Sequence, residues 1–164
     1  MAYFHKKIGY KFFDLLPILL LFFIALNGNS VINLKLFTIN IHYILVYYFV
    51  LKKSENFGYG LIFISGIIND VVFGFPLGVN ALSLLVIAAV ATYVRFVTVR
   101  ATLLNDWLTF ISASLLANLI YFFSLYFSEY LIDYMYLFIN SICTIIFYPI
   151  LWFIFSGISR IVKS

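Results

Sequence analysis

Trp107 to Phe127 reads WLTFISASLLANLIYFFSLYF, an uninterrupted run without a single charged residue. A helix needs about 20 apolar residues to cross the hydrocarbon core of a bilayer. A membrane β-barrel would instead alternate apolar and polar residues in segments of about 10. The stretch therefore predicts a membrane-spanning helix, and the rest of the chain repeats the pattern. Further apolar runs cover residues 8–26, 36–51, 57–73, 81–97 and 134–155. Of the 164 residues, 65% are hydrophobic and 10% charged, and the mean hydropathy is +1.12. Soluble domains carry roughly 25% charged residues, so a soluble globular chain is excluded, and so is a disordered one. Cys143 is the one cysteine, which excludes a disulfide scaffold.

Six spans use about 120 residues and leave about 40 for ends and connections. The expectation is an all-α integral membrane protein: one helical domain over residues 1–164 with about six transmembrane helices. Function then has to sit inside the membrane or on short loops. The N-terminus has a basic start but no small-residue cleavage site, and reads as a retained first span. Asn27-Gly28-Asn29-Ser30 is a turn signal after span one. Gly74-Phe75-Pro76-Leu77-Gly78-Val79-Asn80 breaks the pattern between spans three and four, with Asn80 expected as N-cap.

Basic residues mark the cytoplasmic side. Six spans place Lys6, Lys7, Lys11, Lys52, Lys53, Arg95, Arg100, Arg160 and Lys163 on one side and only Lys35 on the other. The expected topology has both termini in the cytoplasm. The charge of +4 is thereby explained by topology. Its residues form no concentrated patch for a nucleic acid.

Asp70 stands out among the polar residues inside the spans. It lies about 21 Å along span three, where an isolated carboxylate costs roughly 2.5–3.5 kcal/mol. Ser65, Gly66, Asn69, Asp70 and Phe73 share one face that is mostly small or polar, which suits close helix packing. Asp70 reads either as an ion- or partner-binding carboxylate or as the acceptor that locks the next turn. The second reading is preferred, because the Pro76–Ala81 backbone follows so closely. Asn118 with Ser114, and Asn140 with Ser141 and Thr144, are expected to bond across neighbouring helices. Pro149 is expected to kink span six. The alanines at 81, 88, 89 and 91 make span four the expected centre of packing. His42 has no ligand partner at helical spacing, so no metal site is expected. Glu129 and Asp133 are expected in a solvated outer loop. No nucleophile, base and orienter fall together, so neither an enzyme nor a cofactor site is expected.

The segment from Gly66 through Asn69 and Asp70 to Pro76-Leu77-Gly78 and Asn80-Ala81-Leu82 resembles the hallmark of the bacterial rod shape-determining protein MreD family: a Gly and an Asp ahead of Pro-Leu-Gly, then an apolar helix. Gly60-Leu61 upstream is similar to that family's Gly-rich lead-in. The resemblance implies a non-enzymatic, multi-pass scaffold of the bacterial inner membrane. It implies partners: an MreC-like single-span protein, an MreB-like filament, and the SEDS glycosyltransferase and transpeptidase pair that extends lateral peptidoglycan. It also implies a fold similar to the substrate-binding subunits of energy-coupling-factor transporters. A vitamin-binding subunit of such a transporter is the alternative function. It requires a polar outer pocket, for which the outer loops look too short and too apolar.

Overall fold

A computed structural model of the chain describes residues 2–27, 39–52, 58–98, 102–131 and 133–163, with side chains between residues 15 and 157. The Gly28-Asn29-Ser30 turn, Lys35, Lys53, Arg100 and the side chains of His5, Asp14, Arg160 and the N-terminal lysines lie outside the described residues.

The described residues form six helices and no strand: α1 (Ala2–Asn27), α2 (Ile41–Lys52), α3 (Tyr59–Phe73), α4 (Val79–Val97), α5 (Leu103–Phe127) and α6 (Tyr134–Lys163). Three of them are long and apolar enough to cross a membrane: Val79–Val97, Leu103–Phe127 and Tyr134–Gly157. The shorter apolar helices are Leu15–Asn27 within α1, then α2 and α3. At about 1.5 Å per residue, α2 is about 18 Å long and α3 about 22 Å.

The outward faces are apolar. Met135, Phe138, Ile142, Ile146, Ile150 and Phe153 are exposed along α6, and Leu15, Leu19, Phe23 and Leu26 along α1. Polar groups, Asp70 and Asp106 among them, are buried instead. Apolar outside with polar inside is the distribution that lipid favours and water does not.

The centre of the bundle is α2. All ten residues from His42 to Leu51 are buried, as expected for a helix that is apolar on every side. It packs against α1, α4 and α6 and reaches α5 through Tyr47. The Tyr47 ring meets Phe110 edge-on at 5.2 Å and Tyr148 at 5.9 Å, and Phe110 stacks on Tyr148 at 4.3 Å. The expectation that span four is central holds in part. It packs against α2, α3 and α5 and buries Ala81, Ala88 and Ala91, but Ala89 is exposed.

Several helix starts differ from the sequence reading: α1 begins at Ala2 and α5 at Leu103, ahead of the apolar runs at residue 8 and Trp107, and two others have a cause in the turn before them. The second helix begins at Ile41 rather than Leu36, because the Asn40 side-chain oxygen accepts the Tyr43 N–H at 3.1 Å and caps it. The fourth begins at Val79 rather than Ala81, after a Pro76–Val79 turn in which Gly78 takes φ 103°. That positive φ is the one a type II turn needs at its third residue, and glycine supplies it without strain.

Candidate functional site

The α3–α4 corner is built around Asp70. Gly74 ends α3 in the left-handed conformation at φ 68°. Its N–H bonds to the Val71 carbonyl at 3.3 Å, and the Phe75 N–H to the Asp70 carbonyl at 2.9 Å. This pair of bonds is a Schellman ending, so the main chain of Asp70 closes one helix. Its side chain opens the next. Oδ2 accepts the Gly78 N–H, and Oδ1 accepts both the Asn80 N–H and the Asn80 Nδ2–H, each at 2.8 Å. Asp70 is fully buried, and these three donors at the positive end of α4 offset its desolvation. One residue thus ties the end of α3 to the start of α4.

Asn80 is not the N-cap. It is the second residue of α4, and Gly78 stands at the cap position with no side chain to offer. The carboxylate of Asp70 fills that role from the neighbouring helix, and Asn80 donates to it. Leu77 is exposed at the tip of the turn.

Gly66 sets the depth of contact between the two helices. A Cβ on it would lie 2.7 Å from the Ala81 nitrogen and 2.9 Å from the Ala81 Cβ. Only glycine permits this approach. The face shared by Ser65, Gly66, Asn69 and Asp70 is buried, whereas Phe73 is exposed. Phe73 turns outward to pack beside Phe75, with ring centroids 5.6 Å apart. The small-residue face is therefore already filled by α4.

Beside the corner lies a cavity of about 140 Å³. Five asparagines line it: Asn69, Asn80, Asn118 and Asn140, one each from α3, α4, α5 and α6, and Asn40 at the cap of α2. Tyr43, Tyr121 and Tyr136 supply aromatic wall, with Phe73 and Phe75. Phe75 also meets Tyr121 at 6.1 Å and Tyr130 at 5.3 Å, which joins the corner to the α5–α6 connection. The polar groups come from helix ends and helix interiors, not from loops. A polar pocket is therefore present although the loops do not form it.

The other polar pairs divide. Asn118 donates to Ser141 at 2.7 Å across α5 and α6, and Thr144 accepts the Asn40 N–H at 2.8 Å. Ser114 bonds within its own helix, to the Ile111 carbonyl. Asp133 caps α6 by accepting the Tyr136 N–H at 3.0 Å. His42 is buried, with Nε2 3.3 Å from the Ser65 hydroxyl.

At the opposite end, a cluster that the sequence reading missed joins three helices. Lys52 Nζ lies 3.0 Å from Asp106 Oδ2, and the Trp152 indole N–H donates to the same oxygen at 3.1 Å. Lys52 also sits 5.9 Å from the centre of the Trp152 ring, within cation–π range. Asp106 lies in the first turn of α5, where a carboxylate suits the helix dipole. That position was the available signal. The Trp107 indole N–H donates to the Ile145 carbonyl at 2.9 Å. Ile145 is four residues before Pro149, which lies inside α6 and has no N–H to offer it. The indole thus satisfies the acceptor that the proline frees.

Comparison with protein-family models, with curated proteins and with solved structures finds no match to this chain. Among the described residues, no group of three His, Cys, Asp or Glu side chains stands together as a metal site would.

Proposed function

We propose that this chain is a non-enzymatic scaffold of the bacterial inner membrane. Six helices cross the bilayer with both termini in the cytoplasm, and the protein serves the machinery of lateral cell-wall elongation. One observation carries the reading. The residues that bear the resemblance to the MreD family (Gly66, Asp70, Pro76, Leu77, Gly78 and Asn80) converge on a single pinned corner. A corner so fixed holds two helix ends rigidly for a partner. Because Gly66 is already packed on Ala81, the partner's single span docks on the exposed apolar side of the corner. Val71, Val72, Leu77 and Leu82 are available there. In this reading that partner is MreC-like, and the contact links the filament inside the cell to the glycosyltransferase–transpeptidase pair.

The test is co-purification from native membranes with a tag on the C-terminus, read by mass spectrometry. Recovery of an MreC-like protein with the synthase pair is the expected result. Recovery of a membrane coupling protein with paired ATPases would replace this reading with the transporter subunit. The asparagine cavity is the observation that favours that second reading.

A further inference from the structure

The cavity beside the corner has a chemistry of its own. Asn69 and Asn140 line it, and each is only 8% exposed. Neither carboxamide has a hydrogen-bond partner among the described residues. Neither amide is sealed off, because both line the cavity and stay accessible from it. Two of them facing one space, from α3 and from α6, mark groups that await a partner. Asn118 and Asn80 each commit the amide nitrogen, to Ser141 and to Asp70, and keep a carbonyl oxygen unused. The cavity therefore offers both donors and acceptors.

Three further features narrow what fits. No charged side chain lines the cavity, and the nearby Asp70 carboxylate is taken up by three N–H groups. A charged ligand would be desolvated there without a counter-ion. Tyrosine and phenylalanine rings form much of the wall, and such walls favour a flat ring. The volume of about 140 Å³ is close to that of an engineered cavity, roughly 150 Å³, that accepts benzene.

We infer that the asparagine cavity binds a small uncharged ring compound with amide-type donors and acceptors on its edge. Carboxamides pair with such an edge through one donor and one acceptor at a time. The inference does not rest on the scaffold reading: co-purification tests that reading, and ligand binding tests this one.

The experiment uses the full chain purified in lipid nanodiscs. Uracil and nicotinamide are the probes, with orotate and nicotinate as their charged counterparts, and binding is read by equilibrium dialysis of labelled compound. Saturable binding of at least one neutral probe is expected, with Kd below about 1 mM. The charged counterparts are expected to bind at least about tenfold more weakly. Asn69→Leu and Asn140→Leu are each expected to weaken binding about tenfold or more, the equivalent of one lost hydrogen-bonding group. Elution profile and helix content show whether each variant folds. Asn140→Leu and Asn118→Leu lie away from the corner and serve if Asn69→Leu does not fold. Failure of both neutral probes to bind saturably would overturn the inference and leave the cavity to water. Equal binding of the charged counterparts would overturn it as well, and so would binding that folded asparagine variants leave unchanged.

Discussion

Removing the carboxylate of Asp70 tests the corner most directly. Asp70→Leu leaves two backbone N–H groups and one carboxamide N–H without their acceptor. Asn80 is buried, whereas Gly78 is partly exposed, so water relieves some of the Gly78 loss. An unsatisfied buried donor costs about 1–3 kcal/mol, and a hydrogen bond to a charged group is worth about 1.5–3. The expected loss for Asp70→Leu is therefore about 4 kcal/mol. Asp70→Asn keeps one oxygen for the two Asn80 donors and turns an NH₂ toward the Gly78 N–H. Its expected loss is about 1–2 kcal/mol, mostly at the partly wet position. The assay is SDS-titrated unfolding in mixed micelles, followed by tryptophan fluorescence. Trp107 and Trp152 both lie on bundle contacts and report opening. Equal losses for the two variants would refute the reasoning, because the argument rests on how many donors keep an acceptor. A loss below about 1 kcal/mol for Asp70→Leu would refute it too.

Three further outcomes follow from the packing. Gly66→Ala is expected to cost about 1–3 kcal/mol in the same unfolding assay, since its Cβ overlaps the Ala81 backbone. Lys52→Met is expected to cost about 3 kcal/mol because it leaves the buried Asp106 carboxylate without its counter-ion, held by the Trp152 indole alone, and adding Asp106→Leu is expected to recover part of that loss. Trp107→Phe is expected to cost about 1 kcal/mol in the natural chain and clearly less beside Pro149→Ala, which returns a helical N–H to the Ile145 carbonyl. A double-mutant cycle on unfolding free energies measures that coupling.

Much of the helical layout is legible from local pattern. The apolar runs and the Gly74–Gly78 break fall where helices and a corner form, because hydropathy and turn chemistry act over a few residues. Asp70 is legible as an acceptor for the following turn for the same reason: donor and acceptor stand eight to ten residues apart. Asn40 was legible in principle as a cap, being an asparagine just before an apolar run, yet a span read by hydropathy alone runs through it. The Lys52–Asp106–Trp152 cluster was not legible. Its members lie on three helices, with the indole and the carboxylate 46 residues apart, and no local rule links them.

The sequence by itself determined the helical class, the apolar character that suits lipid and the place of the corner. Each depends on what a residue is and on its near neighbours. Tertiary structure alone decided which helix is central. Hydropathy makes α2 and α5 look alike, but only α2 is enclosed along its whole length. It also decided that Gly66 meets Ala81, that Trp107 answers Pro149, and that five scattered asparagines share one cavity. The physical reason is common to all of these. A side chain's partner across a bundle is fixed by how helices rotate and stack, and that is set by the packing of all six together.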